Sequence, residues 1–331
     1  CLNVYVPDIG PAQAIYYDVL ALLQSIKYAK LHNIKNPIFY ILACRIGPFM
    51  SIIVNKIHAI GGTVCVNPDG HEWMRSKWSF PVQKYWKISE SLMVKHADLL
   101  ICDSKNIEKY IQSTYVKYNP KTKFIAYGAN TKKAYLDNNS SEIVSWFNHF
   151  RIKPKQYYLI VGRFVPENNY EVMIREFIKS STDKDLVIIT NVQKNKFYKN
   201  LQSKTNFESD NRIKFVGTVY DLDLLKKIRE LAYGYIHGHS VGGTNPSLLE
   251  ALASTKLNLL YDVGFNREVG KDTALYWSKE NGNLCALIEK CDGLSDTQID
   301  KLDLLSSKRI KDEYSWNKIV QAYERFFGGN L

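Results

Sequence analysis

Apolar positions in the first part of the chain switch repeatedly between two spacings. Residues 12–31 place apolar side chains three and four positions apart, as on one face of a helix. Residues 37–43 form a continuous apolar run, which is typical of a strand buried on both faces. The same two patterns predict, in chain order, strands at 2–6, 37–43, 63–66, 98–102 and 123–126, and helices at 12–31, 49–60, 81–96 and 106–118. Strands that alternate with helices in this way indicate a parallel sheet covered by helices.

A polar stretch at residues 128–156 interrupts this alternation, and we interpret it as a domain boundary. A second series follows, with strands at 157–161, 186–190, 213–216, 233–237 and 257–261, a helix at 170–180, further helices between, and a final amphipathic helix at 316–327. Two successive α/β units of this kind predict two Rossmann-like domains facing a cleft. Parallel sheets bind ligands at the carboxyl ends of their strands, so polar residues that follow strands are the candidate site residues.

Composition and charge constrain the class of partner only loosely. The 331 residues suffice for two domains, and no apolar run reaches about 18 residues, so we expect no transmembrane helix. The net charge of +11 favours an anionic partner, such as a membrane surface or a phosphorylated substrate, and a basic solvated surface explains it equally well. We expect no nucleic-acid partner, because the lysines are scattered and no compact DNA-binding motif occurs.

The cysteines indicate buried thiols rather than a metal site. None of the six has the paired spacing of metal ligands, and Cys44, Cys65 and Cys102 lie within apolar, strand-like runs. We therefore expect reduced thiols and no bound metal or cofactor.

The most informative stretch is residues 237–250, which join a strand-like run to a helix-like run. Gly242 and Gly243 allow a ligand to approach the backbone closely and permit positive φ angles. Asn245 or Thr244 can cap the helix, and the amides at a helix start attract phosphate. These features predict an anion site at the end of the strand.

A carboxylate and two histidines complete this stretch. Glu250 would repel phosphate, so we expect it to bind hydroxyl groups. Amides that bind phosphate beside a carboxylate that binds hydroxyls indicate a nucleotide-sugar site, and an ordinary strand–turn–helix corner explains the same residues about as well. His237 and His239 either line the site or are structural, and as a metal pair they would lack a third ligand.

Two further strand ends carry candidate residues. Gly162-Arg163 follows a predicted strand, where the arginine can grip a diphosphate through two parallel hydrogen bonds. The loop with Asp69, His71 and Glu72 follows another, and these side chains suit sugar binding or proton transfer. A surface arginine, a capping aspartate and a turn histidine are the structural alternatives. The Gly-rich dinucleotide motif, the P-loop and the Gly-x-Ser-x-Gly motif do not occur, which disfavours dehydrogenases, NTPases and serine hydrolases.

Together these motifs resemble those of GT-B glycosyltransferases of family GT4. Gly162-Arg163 with Pro166-Glu167 is similar to that family's Gly-Arg-x-x-x-x-Lys-Gly motif, and residues 242–250 are similar to its Glu-x7-Glu segment. The first part of the chain, above all residues 67–78 and 100–105, resembles bacterial β-1,4-rhamnosyltransferases of capsule and cell-wall polysaccharide synthesis, which use dTDP-L-rhamnose.

The resemblance implies a fold and a set of site residues. It implies a GT-B fold with an acceptor-binding domain at 1–130 whose start is missing, a donor-binding domain at 150–313, and a C-terminal helix at 314–331 that joins the first domain. It further implies a retaining, metal-independent reaction. The candidate catalytic residues are then Asp69, His71 and Glu72, and the candidate donor-binding residues are Arg163, His239, Gly242, Gly243, Thr244, Asn245 and Glu250.

Two positions depart from the family pattern. The first glutamate of Glu-x7-Glu falls at Gly242, with Ser240 beside it, so no carboxylate is in place to face the donor sugar. The family lysine falls at Asn168, which leaves the diphosphate one cation short. The candidates for a replacement cation are Lys194, Lys196 and Arg267.

The resulting prediction is a glycosyltransferase that transfers L-rhamnose from dTDP-L-rhamnose to a lipid-diphosphate-linked saccharide. We expect it in the cytoplasm, peripheral on the inner face of the plasma membrane. The alternatives are a transferase for another nucleotide sugar, such as UDP-glucose, and a non-catalytic nucleotide-sugar-binding assembly protein. The apolar segment 46–60 could dock on the membrane, and we favour instead a buried helix against the sheet.

Overall fold

The computed structural model describes residues 3–329, except for the side chain of Pro11. Within this structure the chain divides into two compact units, Cys1–Ala126 and Tyr127–Leu331. Residues 1, 2, 330 and 331 lie outside the described part, and with them the first position of the strand predicted at 2–6 and the outer ends of the ranges 1–130 and 314–331. The assignment of those ranges to acceptor-binding and donor-binding domains stays a prediction.

The first unit is a parallel sheet whose strands lie side by side in chain order. The strands are β1 (Ile38–Leu42), β2 (Thr63–Asn67), β3 (Leu99–Cys102) and β4 (Thr122–Phe124). The helices are α1 (Gln13–Leu31), α2 (Gly47–His58), α3 (Phe80–His96) and α4 (Lys105–Thr114). The predicted alternation is confirmed, because each apolar run pairs with the next across a helical crossover.

The strand predicted at the beginning of the chain is wrong for its described residues, 3–6. These residues adopt neither helix nor strand, and Tyr5 is 81% exposed. Period-two alternation stabilises a strand only when a neighbouring strand supplies hydrogen bonds, and the described part of the sheet pairs β1 with β2 alone.

Segment 46–60 forms α2, which packs against the sheet as we favoured. Met50, Ile53 and Ile57 are buried in the same core as the apolar residues of β1 and β2. Phe49 and Ile52 lie on the other side of the helix and are exposed. The apolar composition of this segment therefore has a structural explanation, and two apolar side chains remain on the surface.

The second unit contains six parallel strands in the order β10-β9-β8-β5-β6-β7. The strands are β5 (Tyr157–Val161), β6 (Asp185–Ile189), β7 (Ile213–Phe215), β8 (Gly234–His237), β9 (Asn258–Tyr261) and β10 (Leu275–Trp277). The helices are α5 (Ser141–Phe150), α6 (Tyr170–Lys179), α7 (Lys196–Thr205), α8 (Leu222–Glu230), α9 (Pro246–Leu252), α10 (Gly264–Gly270), α11 (Asn283–Asp292), α12 (Asp296–Arg309) and α13 (Trp316–Gly328). Strands β5 and β8 are fully buried along nearly their whole length, which explains their continuous apolar sequences.

Helix α5 was not predicted, because it lies in the polar stretch that we interpreted as a boundary. Ile143, Trp146 and Phe147 are spaced as on one helix face and are buried in a core cluster with Tyr157 of β5. The polar residues of this stretch occupy the remaining faces. Strand β10 was also missed, since it has only three residues at the edge of the sheet.

The final helix, α13, matches the helix predicted at 316–327. Its start is held within the second unit: the Ala129 amide donates to the carbonyl of Tyr314 at 2.8 Å, and the ring of Trp316 lies so close to Gly128 that a Cβ there would clash. The predicted link between this helix and the first domain stays a prediction.

The thiols that the structure describes are unpaired, and four of the five are buried, as predicted. Burial raises the pKa of the Cys65 thiol to about 11 and that of Cys291 to about 12, so both are protonated at neutral pH. Of the helices within residues 3–329, none has the length and apolar character needed to cross a membrane.

Candidate functional site

The strand order of the second sheet reverses between β5 and β8, which are neighbours although β6 and β7 separate them in sequence. Loops that leave such a pair diverge to opposite faces of the sheet and open a crevice between their carboxyl ends, where ligands bind in sheets of this kind. Gly162-Arg163 leaves β5, and residues 238–245 leave β8. Both candidate donor motifs therefore lie at the switch point.

Direct hydrogen bonds join these two loops. The side-chain amide of Asn169 donates to the carbonyl of Gly238 at 2.6 Å, and the hydroxyl of Ser240 donates to the carbonyl of Glu167 at 2.7 Å. A Cβ at Gly238 would come within 2.3 Å of the carbonyl oxygen of Asn168, so only glycine permits this approach. The two motifs are thus one structural element rather than two unrelated turns.

His237 and His239 form a stacked pair beside Gly162. Their ring centroids are 4.3 Å apart at 11°, His237 is buried, and its pKa is well below the usual value because of burial and because of the neighbouring His239. Nearly parallel rings do not direct their nitrogens toward one point, which disfavours a shared metal. His239 lies against Gly162 at the end of β5, and both alternatives for it, site lining and a structural role, stay open.

The loop after β5 presents Arg163 outward. The side-chain amide of Asn168 donates to the Arg163 carbonyl at 2.8 Å, and the hydroxyl of Tyr170 donates to the Gly162 carbonyl at 3.0 Å. These bonds hold the backbone, while the guanidinium of Arg163 is exposed and forms no ion pair with any residue between 3 and 329. Arg163 is therefore placed and available to bind an anion.

Gly242 and the cap behave as the sequence predicts, whereas Gly243 does not adopt a positive φ, and the cap has one consequence for the anion site. Gly242 has φ of +143°, with open space around its Cα, and Asn245 caps α9. The side chain of Asn245 accepts hydrogen bonds from the amides of Ser247 at 2.9 Å and Leu248 at 3.3 Å. Because the cap satisfies these amides, any phosphate contact must come from the loop at Gly243 and Thr244, and not from the start of this seven-residue helix.

Glu250 has a partner that the sequence did not indicate. The guanidinium of Arg229, at the end of α8, is 2.8 Å from Oε2 of Glu250, and it also donates to Oγ of Ser247 at 3.3 Å. Arg229 is almost completely buried, whereas the Glu250 side chain is 45% exposed. Glu250 is therefore anchored from inside the unit and still open to a ligand.

In the first unit, the loop that follows β2 has an unusual backbone. Asp69 and His71 both adopt left-handed conformations, with φ of 55° and 45°. Oδ1 of Asn67 accepts the amide of Asp69 at 2.8 Å, and Oδ1 of Asp69 accepts the amide of Gly70 at 2.9 Å. This leaves Oδ2 of Asp69 without a partner among the described residues. Non-glycine residues in this region are uncommon and concentrate at functional sites.

The Glu72 side chain has more polar partners than the side chains of Asp69 and His71. Its carboxylate forms ion pairs with Arg75 and Lys77 and accepts a hydrogen bond from the Trp78 indole at 2.9 Å. Burial raises the pKa of this carboxyl, but these partners outweigh burial and lower the pKa overall. Both oxygens are thus committed to the loop, which favours a structural role for Glu72; its predicted catalytic role stays untested.

A buried polar cluster lies beneath His71, and sequence reasoning missed it. The carboxylate of Glu90 accepts hydrogen bonds from Tyr110 and Tyr115 and pairs with Lys87 at 3.3 Å. The Tyr110 ring packs on His71 at 4.2 Å between centroids. Burial lowers the pKa of His71, although the charge of Glu90 opposes this effect. His71 is therefore neutral at pH 7, and its ring nitrogens form no hydrogen bond within residues 3–329.

Comparison with known proteins gives a family match for the first unit and a fold match for the whole chain. A family model described as "Domain of unknown function (DUF1972)" matches residues 1–130. No curated protein matches the chain significantly in sequence. Among solved structures, Anabaena HepE in complex with UDP superposes with a TM-score of 0.72 at 13% identity, over 93% of this chain and 82% of HepE.

Two further structures agree with this match. A glycosyltransferase from Rickettsia africae has a TM-score of 0.74 at 14% identity, over 99% of this chain and 85% of its own. Sucrose-phosphate synthase from Thermosynechococcus elongatus has a TM-score of 0.75 at 14% identity, over 99% and 82%. The chain has the GT-B fold. The predicted fold class, two Rossmann-like α/β units, is therefore confirmed.

Within this GT-B chain, the three candidate replacement cations differ in their surroundings. Arg267 is engaged by both oxygens of Asp262 and stacks on the ring of Tyr276 at 4.2 Å. Lys194 lies in the loop that follows β6 and Lys196 is the first residue of α7, both after the same sheet edge as Arg163. Both are exposed, and neither forms an ion pair with a described residue. The geometry therefore favours the two lysines over Arg267.

Proposed function

We propose that the chain is a glycosyltransferase that binds a nucleotide sugar in its second unit. The observation that supports this function best is the meeting of two loops at the switch point, where Asn169 and Ser240 bond the β5 loop to the β8 loop. The β5 loop carries an available arginine, Arg163, and the β8 loop with α9 carries a glycine-rich turn and a partly exposed carboxylate, Glu250. A cation for phosphate and a carboxylate for hydroxyls are the two contacts that a nucleotide sugar requires.

Each donor contact follows from the chemistry of its residue. Arg163 would bind the diphosphate through two parallel hydrogen bonds, with Lys194 or Lys196 as the second cation. The loop at Gly243 and Thr244 would bind phosphate or sugar through backbone amides, and Glu250 would bind the hydroxyls of the nucleoside sugar. We keep Gly242, Asn245 and His239 as residues that shape this donor site.

Neither Ser240 nor Gly242 supplies a carboxylate in place of the missing family glutamate. The side chain of Ser240 is already bonded to the Glu167 carbonyl, and Gly242 has no side chain. We therefore propose that catalysis is retaining, proceeds without a metal, and depends on cations that stabilise the charge on the departing diphosphate. Preorganised charges of this kind are commonly the largest contribution to such reactions.

The first unit would bind the acceptor. Oδ2 of Asp69 and the neutral ring of His71 can each accept a hydrogen bond from a sugar hydroxyl, and His71 can also accept a proton from it. Glu72 would hold their loop in shape through its three partners. We propose that Asp69 and His71 contact the reacting groups.

The identity of the donor rests on the resemblance to rhamnosyltransferases. We propose dTDP-L-rhamnose as donor and a saccharide linked to a lipid diphosphate as acceptor, in the synthesis of a surface polysaccharide. UDP-glucose is the second candidate donor, and one observation favours it: Anabaena HepE, which has been solved with UDP-glucose, has the same fold.

A lipid-linked acceptor would require contact with a membrane surface. We propose a peripheral location on the cytoplasmic face, mediated by the exposed side chains of Phe49 and Ile52 on α2 and by the positive charge of the chain. Lysines on α1 and α2, which pack against each other, would contribute to the attraction. These lysines are Lys27, Lys30 and Lys56.

One experiment tests the proposed reaction and the donor together. The chain is incubated with radiolabelled dTDP-L-rhamnose or UDP-glucose and a synthetic lipid-diphosphate sugar, and label in the lipid fraction is measured. We expect transfer from dTDP-L-rhamnose. Transfer from UDP-glucose alone would identify UDP-glucose as the donor in place of dTDP-L-rhamnose. Tight nucleotide binding without transfer from either would support the non-catalytic alternative.

A matched pair of variants tests the diphosphate contact. Arg163→Ala should raise the donor KM at least about tenfold, because a hydrogen bond between charged groups is worth roughly 1.5–3 kcal/mol. Arg267→Ala also removes an exposed arginine from this unit, but one that Asp262 already neutralises, so its donor KM should stay close to that of the wild type. Equal effects of the two substitutions would remove Arg163 from the proposed site.

A further inference from the structure

Arg229 is buried whereas Glu250 is partly exposed, and this difference bears on which nucleotide the donor site accepts. Arg229 is 3% exposed, and its Nε has no hydrogen-bond partner among residues 3–329. Its charge is therefore balanced mainly by Glu250, 2.8 Å away. A buried guanidinium without a counter-charge would cost several kcal/mol, so Glu250 stabilises Arg229 in its buried position.

A hydrogen-bond network through Ser247 connects Arg229 and Glu250 to the end of β5. Ser247, one turn before Glu250 on α9, accepts from Arg229 at 3.3 Å, lies 3.1 Å from the hydroxyl of Tyr235, and contacts the Val161 carbonyl at 3.3 Å. Tyr235 also donates to the Val161 carbonyl, at 3.1 Å. The anchor of Glu250 therefore reaches the residue that immediately precedes Gly162.

The two oxygens of Glu250 have different surroundings. Oε2 accepts from Arg229, whereas Oε1 forms no hydrogen bond in the described part of the chain, and nearly half of the side chain is exposed. A carboxylate binds two adjacent hydroxyls best when each oxygen accepts one of them. Oε1 keeps its full accepting capacity whereas Oε2 already accepts from Arg229, so binding of one hydroxyl is favoured over binding of two.

Ribose and deoxyribose differ at this point. A ribonucleoside diphosphate presents two adjacent hydroxyls, at the 2′ and 3′ positions, and a 2′-deoxynucleoside diphosphate presents the 3′-hydroxyl alone. We propose that Arg229 is a positioning residue that leaves Glu250 a single oxygen without a hydrogen bond from the described residues, so that the donor site binds 2′-deoxynucleoside diphosphates as tightly as their ribose counterparts. This inference rests on the proposed donor site, and it makes a thymidine-type donor as acceptable to that site as a uridine-type donor.

The first test uses the unmodified chain and two nucleotides, UDP and dUDP, which differ only in the 2′-hydroxyl. Titration calorimetry gives the Kd of each. We expect the two values to agree within about threefold. UDP binding that is tighter by a factor of ten or more, about 1.4 kcal/mol, would overturn the inference while leaving the donor site intact. If neither nucleotide bound, the proposed function itself would fail.

The second test compares two buried cations of α8. Arg229→Met removes the partner of Glu250, and Lys227→Met removes another buried cation of the same helix, whose partner is Glu230 at 3.4 Å. Without Arg229 both oxygens of Glu250 can bind hydroxyls, so the ratio of the dUDP Kd to the UDP Kd should rise at least threefold. The ratio should not change in Lys227→Met.

The ratio of two dissociation constants separates positioning from general damage to the fold. A destabilised protein binds both nucleotides less well, and the ratio then stays constant. An unchanged ratio in Arg229→Met, or an equal rise in both variants, would overturn the role of Arg229. If Arg229→Met does not fold, the comparison of UDP with dUDP on the unmodified chain still decides the inference.

Discussion

At the scale of single residues, His71 has the surroundings of a proton acceptor. Its ring is half-buried against Tyr110, and burial lowers its pKa below the ordinary value of 6.5, with Glu90 raising it and Lys87 lowering it as smaller effects. The neutral form is thus fully present at pH 7 and is lost as the pH falls through the lowered pKa. The left-handed backbone keeps the ring at this place in the loop.

We predict an acid limb in the pH profile of kcat/KM that lies below pH 6.5. Glu90→Gln should move this limb to still lower pH, because the carboxylate that favours the protonated ring is then gone. Initial rates from pH 4.5 to 8 measure the effect. His71→Asn serves as the control and should abolish the limb; a limb that persists in this variant would assign the titration to another group.

The residues that could be predicted from the sequence are those that follow an apolar run. Arg163 and Asp69 belong to this class, because the end of a buried strand locates them at the ligand-binding edge of a sheet. Arg229 and Glu90 could not be found in this way. Arg229 of α8 pairs with Glu250 of α9, and Glu90 of α3 accepts from Tyr110 of α4. No periodicity in the sequence relates residues on two different helices.

At the scale of elements, α9 shows how a short helix is held next to the candidate site. Its seven residues are too few for an isolated helix, so its stability comes from the cap and from buried Leu248, Leu249 and Leu252. The Asn245 cap occupies two amides that would otherwise point into the loop. The cap therefore stabilises the helix and shapes the loop at once.

We predict that Asn245→Ala lowers the free energy of unfolding by about 1 kcal/mol and also weakens UDP binding. Ser295→Ala, which removes the capping box of α12, should lower stability by a similar amount without changing the Kd for UDP. Urea denaturation and calorimetry measure the two quantities. A normal Kd in Asn245→Ala would mean that the cap has no part in shaping the site.

The hydrophobic pattern predicted the bounds of a strand correctly where neighbouring strands pair with it. Strand β5 matches its prediction at both ends because it is buried between β6 and β8. Residues 3–6 show a similar pattern without a paired strand and remain irregular. The sequence analysis did not predict helix α5. Its apolar residues have helical spacing, but the polar residues around Ser140 indicate a linker.

At the scale of the whole molecule, net charge and surface composition bear on which surfaces the protein can bind. The chain carries a net charge of +11, and Ile52 of α2 is 62% exposed. Basic proteins with apolar side chains on the surface bind anionic lipid through both contributions, and salt weakens only the electrostatic one.

We predict binding to vesicles of phosphatidylglycerol mixed with phosphatidylcholine, and weaker binding in 0.5 M salt, as measured by co-sedimentation. The double variant Phe49→Glu/Ile52→Glu should lower the bound fraction at least about tenfold, because burial of each side chain is worth roughly 1.5–3 kcal/mol. The control is Leu222→Glu/Leu304→Glu, which changes two exposed leucines of the second unit. Equal losses in both double variants would attribute the binding to net charge alone.

The reversal of strand order also determines when the two loops of the switch point can meet while the protein is being made. A ribosome that has released β5, β6 and β7 has supplied only one side of the site, because β8 comes later in the chain. The bond from Asn169 to Gly238 spans 69 positions, so the chain must close a long loop before it gains that contact. During this interval the apolar edge of β5 is unpaired, and such edges recruit other chains. We therefore expect a nascent chain that stalls before residue 238 to be bound by chaperones or degraded, because its switch point is incomplete.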